Sequence, residues 1–380
     1  MGAVRAPGEP YDEVVRPLYE AARAALLPGG VPIFDAHSHI GHNDPDGFTA
    51  TPEQIVAGLD RAGHARALTF AFHEPDGYRD ANDAVLAATK ASGGRLLPLA
   101  RVAPGADDAL AEARRCLDAG ALGLKLHPRS DRFALPHPAV EEVVALCAER
   151  RAPVLFHAGR GIPRLGEAVV DLARRYRGAR LILAHAGISD IGWIGPAAAE
   201  LGNLFFDTAW WQVGDLLSLY SSVPPGRILY ASDLPYGSGM YAAFAMLRCA
   251  SAVGLDGDAL AAIAGGSLER VIGGEDALEL GPPPGVGALG PRDVDFERTA
   301  TWLSIACGQA FRGGDPTEAL SLAALACHRA DGHPVARQVE ALVEHSLDAI
   351  ASGPERVPLA MYGALTAQLL AGTPCIRAGT

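Results

Sequence analysis

Two histidines two residues apart, His37 and His39, stand in the stretch FDAHSHIG at the end of an apolar run. On a β-strand, residues i and i+2 project from one face, so the two imidazoles can converge on one ion. The same spacing also suits two polar residues on a strand's solvent face, and the pair alone leaves both readings open. Further along, His73, Arg101, Lys125, His127, His157, His185, Asp207 and Asp233 each stand at or near the end of another short apolar run. The chain has 12 histidines, and scattered placement would put most of them in helices and loops instead. Imidazoles gathered with carboxylates are the donors that hold a divalent cation.

The elements that must position these groups alternate regularly. Short runs rich in Val, Ile, Leu and Phe occur at VPIFDAH, RALTFAF, LLPLARV, ALGLKLH, PVLFH, RLILAH, NLFFDT and RILYASD. Between them lie amphipathic patterns such as DDALAEARRCLDAG, with apolar residues at three- and four-residue spacing. Strand and helix repeated eight times read as a (β/α)8 TIM barrel of the α/β class. A doubly wound sheet also alternates, but it usually has fewer strands and an early phosphate loop, and no GxGxxG follows the first run. In a barrel the chemistry sits at the C-terminal ends of the strands, which is where the polar residues fall.

A helical pattern near residues 10 to 27, within an N-terminal extension of residues 1 to 30, is expected to pack on the barrel's N-terminal side. The barrel spans 31–274, with GLDGDALAAIAGGSLERVIGG as its closing helix. Residues 275–293 contain the Pro/Gly-rich stretch LGPPPGVGALGPRD and read as a linker. Beyond it, helical patterns at 294–312, 316–330, 334–352 and 355–371 make residues 294–380 a small all-helical C-terminal module.

Composition narrows the function classes. The formal charge of −12 disfavours nucleic acid or an anionic membrane surface as partner, because both require a basic face. No apolar stretch approaches the ~18 to 20 residues of a membrane span. The first 30 residues, with Glu9, Asp12 and Glu13 among them, lack a signal peptide's pattern, so a cytoplasmic protein is expected. The six cysteines (Cys116, Cys147, Cys249, Cys307, Cys327 and Cys375) show no CxxC spacing and read as buried thiols.

The ordered set FDAHSH, GLKLHP, LFHAG, LAHAG, NLFFDTA and ILYASDLPY resembles the amidohydrolase superfamily, specifically its amidohydrolase-2 branch of metal-dependent hydrolases and decarboxylases. The resemblance spans about residues 31 to 274 and leaves the helical tail uncovered. It implies a metal held by His37, His39, His157 and Asp233, with His185 as a catalytic or second-metal residue. The donor set suits Zn²⁺, with Mn²⁺, Fe²⁺ or Ni²⁺ as alternatives. An open position would lower the pKa of a bound water from 15.7 toward about 7 and supply hydroxide at neutral pH. Asp233 could then carry a proton from that water to a leaving group, and His185 act as general base or orienting donor. The alternative for Asp233 is a helix N-cap.

Lys125 is one of only two lysines, with Lys90. Three roles stay open for it: contact with a substrate carboxylate or carbonyl, a carbamylated bridge between two metals, or a structural ion pair. His127 shares its strand parity, while His73 and Arg101 fit a pocket wall; Arg101 would suit a carboxylate or an ion pair to a neighbouring loop. Asp207 could face His185 or cap the next helix, and Trp210 and Trp211 read as packing. His42, His64, His137, His328, His333 and His345 carry no assigned role.

The expected activity is metal-dependent hydrolysis of a C–N or C–O bond in a small substrate, carboxylated or not, by metal-activated hydroxide. Non-oxidative decarboxylation on the same residues is the alternative. A remoter one is a non-catalytic scaffold whose tail binds a partner. The tail helices could serve as a homodimer interface, a lid or a docking module.

Overall fold

The computed structural model describes residues 12–159, 162, 164–328 and 333–374. Helix α1 (Asp12–Leu26) comes first. The barrel then runs β1 (Phe34–Ile40), α2 (Pro52–Ala62), β2 (Arg66–Ala71), α3 (Arg79–Ala91), β3 (Leu96–Arg101), α4 (Ala109–Asp118), β4 (Gly123–Leu126) and α5 (Pro138–Glu149). It continues through β5 (Pro153–Phe156), α6 (Leu165–Arg175), β6 (Arg180–Leu183), α7 (Ile191–Glu200), β7 (Leu204–Asp207), α8 (Val213–Ser222), β8 (Ile228–Leu229) and α9 (Gly239–Ala252). Next come α10 (Gly257–Ala261) and α11 (Ser267–Ile272), joined by a π-helical turn over Ala262–Gly266. Helices α12 (Val294–Phe311), α13 (Thr317–Cys327), α14 (Pro334–Ala351) and α15 (Val357–Gly372) follow.

The strands pair in parallel in sequence order from β1 to β8. Closure comes from main-chain bonds between the two ends: Ala36 N–H to Tyr230 O at 2.9 Å and His39 N–H to Leu234 O at 2.8 Å. Strands β4 to β8 are buried at every residue, because helices cover one face and the barrel interior the other. That double burial is why they read as continuous apolar runs. Local capping chemistry starts the helices: Thr51 and Gln54 form a reciprocal capping box at α2, whose end is closed by Gly63 at φ 67°.

Two apolar layers result. Phe34, Leu68, Leu99, Leu155, Ile182 and Phe205 fill the barrel interior. The outer layer runs unbroken from Leu217, Tyr220 and Phe244 into Leu303, Leu320, Val343 and Leu370 of the C-terminal helices. Those helices therefore share a core with α8 and α9 instead of hanging on a free tether. At the C-terminal end of α15, the buried Arg248 of α9 donates its Nε–H to Thr373 Oγ1 at 2.9 Å.

Three expectations change. Helix α1 lies against α9 and the end of α2, not under the barrel: Tyr19 Oη donates to Ala62 O at 2.9 Å and Ser238 Oγ to Asp12 Oδ1 at 2.6 Å. The outer helix after β8 is α9, whereas Leu268 and Val271 of α11 join the barrel-interior cluster. Strand β8 is only two residues long, so Asp233 stands in a loop beyond it. Cys116, Cys147, Cys249, Cys307 and Cys327 are free and buried, as expected. Cys375 lies outside the described residues. No helix among the described residues is long and apolar enough to cross a membrane.

Candidate metal centre

Strand β1 carries an irregularity between Asp35 and Ser38, where its register against β2 shifts by one residue. Such a bulge increases local twist and re-aims side chains at a strand end. His37 and His39 are both buried here, with their Nε2 atoms 3.2 Å apart. Asp233 Oδ1 lies 3.2 Å from each of them. Among the described residues, these three form the group whose ligand atoms all lie within 4.8 Å of one another.

The carboxylate of Asp207, at the end of β7, fixes the tautomer of His37. Its Oδ2 lies 2.8 Å from His37 Nδ1, and a carboxylate that only accepts requires the proton on that nitrogen. His37 Nε2 therefore presents a lone pair toward His39 and Asp233. A triangle of two buried imidazoles and a partly exposed carboxylate, held from behind by a carboxylate–imidazole bond, is a cation-binding arrangement. His39 Nδ1 is buried without a hydrogen-bond partner. Burial pushes the pKa of both imidazoles well below the ordinary value, which keeps them neutral and able to ligate. Burial raises Asp233, with Lys125 opposing the rise. The donor set thus fits a divalent metal.

A second chain of bonds orders His157 and His185. His185 Nδ1 lies 2.7 Å from Ala209 O, which places the proton there and leaves Nε2 to accept. His157 Nδ1 lies 2.9 Å from that Nε2. Asp207 Oδ1 accepts the backbone N–H groups of His185 at 2.8 Å and Ala209 at 3.0 Å. His157 also stacks on His127, with ring centroids 3.8 Å apart and planes 12° from parallel. Gly159 makes room for this pair, since a Cβ there would come within 2.8 Å of His157 Nε2.

Both His185 at φ 55° and Asp233 at φ 62° occupy the left-handed region. Non-glycine residues held there are concentrated at functional sites. Asp35 braces the second of them. Its Oδ1 accepts the N–H of His37 at 3.0 Å and of Ser232 at 2.9 Å, and the Ser232 hydroxyl donates to Oδ2. Burial holds the Asp35 carboxyl up at about 7.

Lys125 Nζ is fully buried, 3.4 Å from His37 Nε2 and 4.6 Å from the centroid of Phe70. Burial lowers its pKa to about 7, while the negative charges of Asp207 and Asp233 oppose that fall. Tyr236 stands edge-on to His39 at 5.2 Å and donates its hydroxyl to Asp44.

The remaining expected residues sit in different company. Arg101 is turned away into a buried pair: its Nη2 lies 3.3 Å from both carboxylate oxygens of Asp131 and also donates to Ser130. Tyr78 donates to the same Asp131, and His73 Nδ1 lies 3.3 Å from Tyr78 Oη. His127 Nδ1 accepts the Ser130 N–H at 3.2 Å, capping that turn. His157, implied as a metal ligand, is set against His185 through Nδ1 and stacked on His127, and lies outside the group of three. Asp35, Asp131 and Tyr236 were not singled out in the sequence. Asp35 alone had a readable signal, since it shares the parity of His37 and His39 inside an apolar run.

The sequence model of the amidohydrolase family, of the amidohydrolase-2 branch, matches residues 34–273. The chain belongs to the amidohydrolase-2 family. Membership makes it an enzyme of the hydrolase and decarboxylase type, and agrees with the motifs that carried the resemblance. No curated protein sequence matches the chain. Among solved structures, an uncharacterised TIM-barrel protein from Bordetella bronchiseptica is similar at 17% identity and TM-score 0.53, covering 64% of this chain and 99% of that one. The 5-carboxyvanillate decarboxylase from Sphingomonas paucimobilis is similar at 14% identity and TM-score 0.52, over 64% and 99%. A dihydroxybenzoic acid decarboxylase from Polaromonas, with bound manganese and the inhibitor 2-nitroresorcinol, is similar at 13% identity and TM-score 0.52, over 64% and 97%. At these identities the likeness is one of fold. Helices α12 to α15 lie beyond the family match.

Proposed function

We propose that this amidohydrolase-2 chain is a metal-dependent hydrolase acting on a C–N or C–O bond of a small, carboxylated substrate. The observation that carries the reading is the triangle of His37 Nε2, His39 Nε2 and Asp233 Oδ1, with Asp207 behind it and the Lys125 ammonium beside it. Its residues suit Zn²⁺, with Mn²⁺, Fe²⁺ and Ni²⁺ as alternatives the donor set also accepts. A divalent ion held there supplies Lewis acidity toward a substrate oxygen or water.

The chain's own groups take defined parts. Asp233 moves a proton between the attacking water and the leaving group. In this reading His185 is the orienting residue or general base, its tautomer fixed by Ala209 O, and its Nε2 exchanges the His157 N–H for that water. Lys125, buried over Phe70, favours an anion near it and receives the substrate carboxylate. His157 is the fourth ligand in this reading and His127 the stacked support that orients it, while His73 and Arg101 form the pocket wall. The partner is a small molecule, the compartment is the cytoplasm, and the C-terminal helices offer a homodimer face through exposed Val294, Ile305 and Leu325.

Decarboxylation is the second reading, favoured by the named activities of the Sphingomonas and Polaromonas proteins. Isotope placement separates the two. In water enriched in ¹⁸O, a hydrolase puts solvent oxygen into its product when lactones and amides are screened. A decarboxylase given 5-carboxyvanillate or 2,6-dihydroxybenzoate releases CO₂ and takes a solvent hydrogen onto carbon. Turnover of neither set by protein holding its metal would overturn both readings.

A further inference from the structure

The C-terminal helices lie outside the family match, yet three consecutive residues, Trp211, Gln212 and Val213 at the start of α8, each meet one of them. Trp211 faces Phe311 of α12, with ring centroids 5.2 Å apart. Tyr241 Oη of α9 shares its one proton between Trp211 O at 3.3 Å and Leu365 O of α15 at 3.5 Å. Gln212 Nε2 reaches Ser304 Oγ of α12 at 3.5 Å. Val213 abuts Gly372 of α15 so closely that a Cβ on that glycine would come within 2.7 Å of Val213 Cγ1.

The other end of the same loop holds His185. Its Nδ1–H donates to Ala209 O at 2.7 Å, and the Ala209 N–H donates to Asp207 Oδ1 at 3.0 Å. The path between the two grips is short and tied down. Trp210 N–H donates to Thr208 O at 2.6 Å, and Trp210 Nε1 donates to Asp215 Oδ2 in the first turn of α8 at 2.7 Å. A tautomer held by one carbonyl depends on where that carbonyl stands, and packed segments transmit displacement. The far side of the contact is anchored. Buried Thr373, the residue after Gly372, accepts the Arg248 Nε–H at 2.9 Å and donates its hydroxyl to Leu369 O at 2.6 Å. Helix α15 is thus fixed on α9 where it presses on α8, and the missing side chain at Gly372 lets Val213 sit where it does.

We propose that helices α12 and α15 position His185 through Trp211, Gln212 and Val213 of the loop before and into α8, with Gly372 as the positioning residue. The helices outside the family match then belong to the site. What His185 does to a water rests on the hydrolase reading, whereas its placement by this loop does not.

The test uses full-length, Zn²⁺-loaded protein with ¹⁵N-labelled histidine, read by long-range proton–nitrogen correlation, with His185→Gln identifying the His185 signals. The parent should show His185 as a single Nδ1–H tautomer. Gly372→Ala should turn this into a mixture or the Nε2–H form. Amide hydrogen exchange over residues 207 to 213 should quicken by about five- to 150-fold, the equilibrium equivalent of local overpacking. Adding Val213→Ala should restore the parent tautomer, because it removes the γ-methyls and leaves the two Cβ atoms in ordinary contact at 3.5 Å. Where Gly372→Ala does not fold, Tyr241→Phe tests the same path by removing only the hydroxyl tied to Trp211 O, and should quicken exchange at Trp211 and Gln212 and mix the His185 tautomers. An Nε2–H tautomer in the parent, an unchanged tautomer in the folded variant, or a change that Val213→Ala does not reverse would overturn the proposal. A parent protein that turns over no lactone or amide fails the hydrolase reading and leaves the tautomer result standing.

Discussion

Asp207 holds His37 from behind: Oδ2 lies 2.8 Å from His37 Nδ1, while Oδ1 takes the backbone N–H of His185. One carboxylate at the end of β7 thus sets a tautomer at the end of β1 and anchors the turn after β6. Replacing it by Asn keeps the shape but offers a neutral amide to the imidazole. Asp207→Asn should lower metal affinity by about 10- to 100-fold, the usual cost of losing such a supporting bond. Competition against a chelator measures this, and an unchanged affinity would mean that His37 does not ligate through Nε2.

Metal content also separates the members of the expected ligand set. The His37→Ala, His39→Ala double variant should fall from about one ion per chain to none. His157→Ala tests the fourth position, because His157 Nδ1 is bonded to His185. If His157 ligates, its variant loses metal as His39→Ala does. Full retention would assign it to the support of His185 instead. Two ions per chain in the parent would point to a carbamylated Lys125.

Arg101 and Asp131 are each at most 2% exposed in their side chains and face one another at 3.3 Å. Removing one member of a buried pair strands the other charge, at a cost of about 3 to 5 kcal/mol. Asp131→Ala should therefore shift the urea midpoint strongly downward. A variant of near-parental stability but raised KM for carboxylated substrates would instead return Arg101 to substrate binding.

His64 gives a pH-dependent prediction remote from the metal centre. Its ring is buried, neither nitrogen has a hydrogen-bond partner, and it meets Tyr230 edge-on at 5.2 Å. Burial, with Arg23 and Arg95 nearby, lowers its pKa to about 3 from 6.5. The unfolded chain then takes the proton first. The stability this neutral ring contributes is whole above pH 6.5 and is lost progressively as pH falls toward 3, by about 1.4 kcal/mol per unit for one proton. Between pH 7 and pH 5, His64→Leu should lose less stability than the parent by about that one-proton slope. Parallel losses in urea titrations would show that His64 does not titrate with folding.

The sequence by itself determined the strand order and the end of the barrel where chemistry collects. Parallel strands covered on both faces must be apolar throughout, so the polar residue that ends each run marks a strand terminus. That is how His37, His39, His157, His185, Asp207 and Asp233 could be found one by one. The four C-terminal helices were equally legible, because the Pro/Gly-rich stretch and the apolar spacing are local signals.

Only the tertiary structure decided what each of those residues faces. Whether Asp207 meets His37 or caps α8 depends on two strands six apart in sequence order that barrel closure brings to within two positions of each other, a relation no local pattern encodes. For Arg101 the sequence left a substrate carboxylate and an ion pair to a neighbouring loop both open, and packing chose the second by bringing Asp131, from the loop after β4, to its guanidinium. Side-chain types and periods are written along the chain, but partners are chosen by closure and packing between distant segments.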